Sequence, residues 1–280
     1  MNKLKKKLFI TLSLLLVCSL LSIPVYASET VTVNSDTLSY EETCSKIEEL
    51  YGIPSDIVQS LSEERFYSLA NDIENKKLLS AEDKYLKIIT DSNGNSIATE
   101  SSYEEYLAEQ NSRIGNTTQN SWMKLTTTIV ESGNGRGEAS VAARWLNDPI
   151  AKSYDVLGLT LNNGTFCHGT ENGFYTITPN EGLSYDRDLD DFTISGRTLR
   201  ADFSVASDYS GVERHLIFLQ GQFFISGSNE GLTSCYAHRT TGFDSNISID
   251  LDPSTGRFVG SGIPIGIYYE QFTGYVSILW

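Results

Sequence analysis

The sequence has little positive charge, and this excludes one class of partner. Its 280 residues include 21 lysines and arginines against 36 aspartates and glutamates, a formal net charge of −15 at pH 7. Proteins that bind nucleic acids carry clustered lysine and arginine side chains that neutralise phosphates. We therefore expect no nucleic-acid partner, and an acidic surface that favours solubility.

Long apolar runs are absent beyond the first 27 residues, so we expect no stable membrane span after processing. Four lysines within residues 3–7 precede the apolar run 8–23, which is shorter than the ~20 residues of a spanning helix. Val25 and Ala27 stand where signal peptidase requires small residues. Residues 1–27 are thus predicted to be a signal peptide, cleaved between Ala27 and Ser28. The product would be secreted and extracellular, or loosely associated with the cell surface.

Cysteine and histidine are scarce, with four and three residues in the chain. Cys44 lies on the apolar stripe of a predicted helix, which indicates a buried thiol. Cys167 and Cys235 both fall in the predicted β-rich part, where an oxidising exterior would permit a disulfide. The sequence leaves the bonded and the free state of this pair open.

Two short motifs, Cys167-His168 and Cys235-x-x-His238, resemble parts of a zinc site or of a cysteine nucleophile. Residues one or three apart point to opposite faces of a strand, so neither pair can converge. We therefore expect neither zinc nor cysteine catalysis. His215 begins an apolar strand, and we expect it to bond the backbone rather than act as a base.

Helical signals are confined to the N-terminal part of the mature chain. Ser39 and Glu42 form a capping box, and a second apolar stripe at helical spacing follows within residues 62–73. Asn-Gly within residues 91–95 predicts the turn of a small hairpin. Residues 28–110 are thus predicted to form a helical region with one hairpin, and the polar stretch 111–121 to be a linker.

Residues 122–280 alternate between apolar and polar positions, the period of strands. Residues 216–219 are apolar on both faces, which places that strand centrally. Short strands separated by glycine, asparagine and aspartate predict an antiparallel sandwich, or a closed barrel. The predicted fold class is α+β, with a small N-terminal helical region followed by a C-terminal antiparallel β-sandwich domain.

Four aspartates form an acidic cluster: Asp186, Asp188, Asp190 and Asp191. Their spacing resembles the start of a calcium-binding loop, but Asp191 and Arg197 occupy the positions where an EF-hand needs glycine and glutamate. A solvated acidic loop is the favoured interpretation. A looser calcium site stays open, and no other cofactor is expected.

Two carboxylates, Asp250 and Asp252, lie two residues apart and hence on one strand face. Paired carboxylates of this kind are used by glycosidases, so a secreted hydrolase is one alternative function. A solvent-facing polar stripe that ends at Pro253 explains the pattern equally well. No catalytic residue is therefore assigned.

The predicted hairpin 122–146 has long alternating strands, with Trp122 and Trp145 far from its turn. This pattern also occurs in membrane-barrel hairpins, so a β-type membrane-perforating toxin is a second alternative. Near the C-terminus, Tyr268, Tyr269 and Tyr275 are candidates for a platform that binds sugar or protein.

Residues 143–149, Ala-Arg-Trp-Leu-Asn-Asp-Pro, and residues 155–159 resemble a pattern in uncharacterised exported proteins of Gram-positive bacteria. The lysine-led signal peptide and the helix break at residues 52–54 are similar as well. The resemblance implies export and a β-rich body, and no activity. The leading hypothesis is a secreted, non-enzymatic module that binds an extracellular ligand or protein.

Overall fold

The computed structural model describes the chain in ten segments, which are residues 38–90, 96–112, 120–133, 135–147, 154–179, 184–205, 213–225, 227–239, 249–260 and 269–279. The chain divides into two compact units, Met1–Ser39 and Tyr40–Trp280, and the fold below is that of the second. Among the described residues, no helix has the length and apolarity to cross a membrane. The predicted signal peptide and the junction of Ala27 with Ser28 lie outside these segments.

The described part of the chain contains four helices, all of which precede Asn120 in the sequence. They are α1 (Tyr40–Tyr51), α2 (Ser55–Val58), α3 (Glu63–Asp72) and α4 (Tyr103–Ser112). The strands are β1 (Lys77–Thr90), β2 (Ser96–Ser101), β3 (Asn120–Glu131), β4 (Arg136–Trp145), β5 (Tyr154–Leu161), β6 (Thr165–Phe166), β7 (Asn172–Pro179), β8 (Tyr185–Asp188), β9 (Asp191–Ser195), β10 (Thr198–Ser204), β11 (Glu213–Phe224), β12 (Asn229–Arg239), β13 (Ile249–Asp252), β14 (Arg257–Gly260) and β15 (Tyr269–Leu279).

These strands form two stacked antiparallel sheets and one small hairpin, so the predicted α+β class and β-sandwich are confirmed. Sheet A has eight strands, in the order β2-β1-β3-β4-β11-β7-β8, with β6 paired to the end of β11. Sheet B has five strands, in the order β15-β12-β5-β10-β9. The hairpin β13–β14 is a separate two-stranded sheet whose strands pair with neither sheet A nor sheet B.

The main core lies between the sheets and follows the period-two alternation. Leu125 and Ile129 of β3 meet Leu157 and Leu159 of β5 in one buried cluster. The alternate residues Thr126 and Gly158 point to the outer faces, as strand geometry requires. Each sheet therefore has an inner face in the core and an outer face that other elements cover.

The first three helices cover the outer face of sheet A. On β11, Leu216 and Phe218 pack against the helices, while Ile217 and Leu219 face the core between the sheets. This strand lies between β4 and β7. The predicted central position of residues 216–219 is therefore confirmed, and its physical reason is burial on both faces.

Helix boundaries follow local signals in the sequence. The α1 helix begins at Tyr40, directly after the predicted cap Ser39, and Gly52 follows its end with φ of +68°. At the start of α3, the Ser62 hydroxyl accepts a hydrogen bond from the Arg65 backbone N–H at 3.3 Å. Serine at this position satisfies one of the free N–H groups of the first turn.

The predicted N-terminal region contains helices and one hairpin, and this hairpin is part of the sandwich. Its hairpin strand β1 is far longer than expected and pairs with β3 from Lys77 to Ile89, so β1 and β2 belong to sheet A. Leu86 and Ile88 on β1 lie in the core between the sheets. The residues on both sides of the predicted linker 111–121 thus belong to one compact unit. Most of that linker falls outside the described segments.

The predicted hairpin 122–146 is confirmed as β3 and β4, but it lies in the interior of the protein. Trp122 and Trp145 are both fully buried. The core covers one face of the hairpin, and on the other face Val130 and Ala142 pack against the helices. Both faces of the hairpin are therefore covered in this structure, and the toxin alternative stays a prediction.

Candidate functional site

The outer face of sheet B is covered at one end by the hairpin β13–β14. Leu251 and Phe258 of the hairpin pack on Val156, Cys235 and Ala237 in a small separate cluster. The absence of a side chain at residue 158 makes room for them, because an added Cβ there would lie 2.7 Å from a Leu251 methyl group. The hairpin therefore closes this part of the face.

A glutamine side chain bonds the hairpin to sheet B. The Gln271 amide nitrogen donates to the Phe258 carbonyl at 2.8 Å, and its oxygen accepts from the Phe258 N–H at 2.9 Å. This pair of bonds replaces the ladder that a neighbouring strand would form. The hairpin is thus fixed over one end of the face, and the other end carries a pocket.

The pocket has a volume of about 530 Å³. It lies where the β5–β6 turn, the start of β12 and the end of β15 meet the beginning of β1. Its lining residues are Leu79, Asn162, Asn163, Asn229, Glu230, Gly231, Tyr275, Ser277, Ile278 and Leu279. This size and this mixture of apolar and polar groups are typical of small-ligand sites.

A buried carboxylate builds one wall of the pocket. Glu230 is 2% exposed and accepts hydrogen bonds from the backbone N–H groups of Asn163 at 2.9 Å, Gly164 at 2.6 Å and Gly231 at 3.1 Å. A carboxylate in this position satisfies donors that the β5–β6 turn would otherwise leave unpaired. Its role is to fix the shape of the turn.

The exposed surface of the pocket is centred on Tyr275, which is 47% exposed. Its ring reaches diagonally across β12 at Gly231, and the Asn162 side-chain nitrogen lies 3.4 Å from its hydroxyl. A Cβ on Gly231 would lie 2.2 Å from that nitrogen and 2.7 Å from the hydroxyl. Arg197 donates to the Asn162 carbonyl at 2.5 Å and steadies the turn. Glycine at residue 231 therefore creates the space that Tyr275 and Asn162 occupy.

Strand β1 borders the pocket, and its Leu79 contributes to the lining. Farther along, the carboxylate of Glu82 on β1 accepts the Tyr275 backbone N–H at 2.7 Å and holds the two strands together. The pairing of β1 with β3 then shifts register between Leu78 and Ser80, which leaves Leu79 as an extra residue. Such a bulge bends the strand locally.

Of the predicted tyrosine platform, the structure places Tyr275 in this pocket. Tyr268 and the side chain of Tyr269 lie outside the described residues. The sequence analysis missed Asn162, Glu230 and Gly231. The turn sequence Asn-Asn-Gly after an apolar strand was a usable signal for the first, because asparagine and glycine favour turns.

Two of the four aspartates in the acidic cluster form ion pairs. Arg65 on α3 lies 3.7 Å from Asp186 and also contacts Asp188, and the Ser62 hydroxyl donates to Asp186 at 2.9 Å. Asp190 and Asp191 are exposed, and the buried Leu189 separates them from the first pair. Across the described segments, no group of three or more histidine, cysteine or acidic side chains is arranged to hold a metal ion. The first two aspartates thus anchor a helix to β8.

The three cysteines of the described chain are free and buried, so the structure contains no Cys167–Cys235 disulfide. Cys235 points to the hairpin β13–β14, and burial raises the pKa of its thiol to about 12. Cys167 lies beside β11, where its N–H donates to the Gln222 carbonyl. Cys44 is in the helical cluster, as predicted.

The two carboxylates of the hydrolase hypothesis do not form an acid–base pair. Asp250 is exposed and lies 3.1 Å from the Arg200 guanidinium. Asp252 accepts from the backbone and hydroxyl of Ser254 and from Thr255, and these bonds lower the pKa of its carboxyl. A general acid needs a raised pKa. These residues instead hold the turn and the hairpin.

A buried polar network lies at the opposite end of the sandwich. The Asp155 carboxylate accepts from the Tyr236 hydroxyl and lies 2.9 Å from Nδ1 of His238, and Trp145 donates to the same hydroxyl at 3.1 Å. All four side chains are nearly or fully buried. His238 faces inward and Cys235 outward, in agreement with the predicted strand alternation.

His215 is also fully buried, at the start of β11. Its Nδ1 hydrogen bonds the Tyr175 hydroxyl, and the two rings are stacked with centroids 5.8 Å apart. We expected a bond to the backbone at this position. The side-chain partner was not predictable, because Tyr175 lies on β7, which pairs with β11 only in the folded protein.

No protein-family model and no curated protein matches the sequence. Among solved structures, the chain is similar to the pilus backbone RrgB of Streptococcus pneumoniae, at 10% identity over 52% of this chain and 40% of that chain, with a TM-score of 0.28. It is similar to the collagen-binding domain of the Erysipelothrix rhusiopathiae surface protein RspB, at 9% identity over 57% of this chain and 65% of that chain, with a TM-score of 0.25. It is also similar to Clostridium perfringens delta-toxin, at 8% identity over 70% and 94%, with a TM-score of 0.23. TM-scores this low carry no argument about this chain.

Proposed function

We propose that this protein is an exported, non-enzymatic binding module whose ligand site is the pocket at the end of sheet B. The pocket carries the proposal, because its polar groups are held in place before any ligand arrives. Glu230 fixes the turn, and Gly231 leaves the space in which Asn162 and Tyr275 meet. Pre-ordered groups bind at lower entropic cost. The carboxylate of Glu230, which is the acidic group among the described lining residues, is already engaged by backbone N–H groups, and this leaves it unsuited to acid–base catalysis.

Export is proposed from the N-terminal sequence alone. Expression of the full gene in a Gram-positive host is expected to release protein into the medium with Ser28 as its first residue. Intact-mass spectrometry of the secreted protein measures this directly. A product that keeps residues 1–27, or that stays inside the cell, would contradict this part of the proposal.

Substitution of Gly231 by alanine is expected to block the pocket while leaving the fold intact. The added Cβ would meet only the ends of the Asn162 and Tyr275 side chains, which can move away. A soluble library of sugars, peptides and amino acids would be screened by thermal unfolding of both proteins. A ligand at 100 times its Kd stabilises the native state by about 2.7 kcal/mol. That stabilisation is expected for the wild type and not for Gly231→Ala.

The control is Tyr185→Ala, which removes another exposed tyrosine at the far edge of sheet A. It should respond to ligand as the wild type does. A ligand that stabilises the wild type and Gly231→Ala equally binds elsewhere, and would remove the pocket from the proposal.

A further inference from the structure

The charge of the pocket lining restricts what can bind. Among the described lining residues there is no lysine, arginine or histidine, so an anionic ligand finds no cationic partner among them. The one acidic side chain, Glu230, is 2% exposed, and three backbone N–H groups occupy its oxygens. A cationic ligand therefore meets no available carboxylate. Desolvating an unpaired charge is costly, which favours an uncharged ligand.

The remaining polar groups of the lining are amides and hydroxyls. Asn162, Asn163 and Asn229 carry side-chain amides, and Tyr275 and Ser277 carry hydroxyls. Each of these groups can both donate and accept a hydrogen bond. This matches a ligand whose own groups also donate and accept, such as a sugar hydroxyl.

Apolar surface stands beside these polar groups. The Tyr275 residue is 47% exposed, and its hydroxyl end reaches across Gly231 toward Asn162. Leu79 and Ile278 add aliphatic surface to the lining. A sugar ring has a C–H face and a rim of hydroxyls, so it can pack on the tyrosine while it bonds the amides.

A peptide that pairs with β15 as an added strand is the main alternative to a sugar as the ligand of this pocket. The Tyr275 N–H points away from β12 toward Glu82, and the Gly231 carbonyl points away from β15 toward Asn162. By strand alternation, the N–H of Ser277 also points away from β12. Glu82 already occupies the Tyr275 N–H, so among the described β15 residues that line the pocket, Ser277 and Leu279 remain for pairing. Strand addition gains its affinity from a longer row of main-chain bonds.

We infer that the pocket formed by Tyr275, Asn162 and Gly231 binds a neutral carbohydrate. This inference rests on the proposed function and names the ligand class of the same site. The sugar packs on the Tyr275 ring, bonds the Asn162 amide, and carries no charge.

Binding would be measured with the full chain on a panel of three probe types. The probes are neutral oligosaccharides of glucose, mannose, galactose and N-acetylglucosamine, the acidic polymer hyaluronan, and displayed random 12-residue peptides. At least one neutral oligosaccharide should bind. Tyr275→Ala and Asn162→Ala should each weaken that binding about tenfold, while Tyr275→Phe keeps the ring and should stay within about threefold.

Ser277→Pro and Ser277→Ala separate sugar binding from strand addition. Proline removes an N–H that makes no bond to β12, so the strand should tolerate it, and alanine keeps that N–H. Both variants should bind the sugar as the wild type does, and Tyr185→Ala serves as the surface control. Binding of peptides alone, lost in Ser277→Pro, or of hyaluronan alone, would overturn the carbohydrate inference while the binding module stands. If no probe binds, both the carbohydrate inference and the proposed binding function are contradicted.

Discussion

Replacement of Glu138 by alanine is expected to lower the free energy of unfolding by about 3 kcal/mol. Both oxygens of this buried carboxylate lie within 2.8 Å of the Lys76 ammonium. Lys76 is itself buried beneath the helices, where Asp72 and the Tyr51 hydroxyl, each 2.8 Å away, complete its surroundings. Removal of Glu138 leaves a buried cation with one partly exposed carboxylate, so the loss exceeds that of an ordinary surface pair.

The effect would be measured by urea unfolding of the full chain at pH 7. Glu49→Ala is the control, because its pair with Lys46 is exposed and should change stability by less than about 1 kcal/mol. The double variant Lys76→Met with Glu138→Leu should recover most of the loss, since it removes both buried charges together. Equal stability of Glu138→Ala and Glu49→Ala would show that this network does not hold the helices on sheet A.

A milder variant tests the same site. Burial raises the pKa of the Glu138 carboxyl, and Asp72 adds to this, while Lys76 acts in the opposite direction. Because the site already disfavours ionisation, Glu138→Gln should cost less than Glu138→Ala. The glutamine keeps an acceptor oxygen for Lys76, whereas alanine leaves none and opens a cavity.

The parts of the fold that the sequence predicted are those encoded by local patterns. Hairpin β3–β4 followed from alternation on both sides of a glycine-rich turn, and the central place of β11 followed from four consecutive apolar residues. The α3 helix followed from the apolar stripe at helical spacing within residues 62–73. In each case the signal and the structure it specifies lie within about a dozen residues of each other.

The place of β1 was not predictable in the same way. Its first half, Lys-Leu-Leu-Ser-Ala-Glu-Asp-Lys, alternates poorly, and the polar residues Glu82 and Asp83 argue against a central strand. The structure explains why this strand contains the two acidic residues. Glu82 accepts a hydrogen bond from the backbone of β15, and Asp83 pairs with Lys124 and accepts from Thr126. These partners lie far away in sequence. The local pattern around Glu82 and Asp83 is therefore typical of a loop, and only the assembled sheet shows what these side chains bind.

The candidate site was likewise predictable from the sequence only in part. Tyr275 stood out as an exposed aromatic near the C-terminus, but Asn162, Gly231 and Glu230 reach it from two other segments of the chain. The spacing of the acidic residues also left their binding partner unidentified. Asp186 and Asp188 resembled calcium ligands, yet their partner Arg65 is more than 120 residues earlier. A spacing pattern shows which chemical groups the chain carries, but the topology of the fold determines which side chains they contact.

The second large effect is expected at the other end of the sandwich, where Asp155→Ala should destabilise the protein by about 3 kcal/mol. Asp155 is fully buried and accepts from the Tyr236 hydroxyl and from His238. Burial, reinforced by this carboxylate, raises the pKa of Tyr236 well above its usual range, so the phenol stays a donor. Without Asp155, two buried polar side chains lose their acceptor, and each unpaired group costs about 1–3 kcal/mol.

Tyr236→Phe is the matched comparison, because it removes one donor and leaves Asp155 with His238. It should cost about 1–2 kcal/mol, since the Trp145 indole N–H also loses its acceptor. Guanidinium unfolding gives both free energies, and near-ultraviolet circular dichroism reports the packing around Trp145. If Asp155→Ala were no less stable than Tyr236→Phe, the carboxylate would not be the centre of this network. The order of the two losses therefore decides whether Asp155 or the aromatic packing holds this end of the two sheets together.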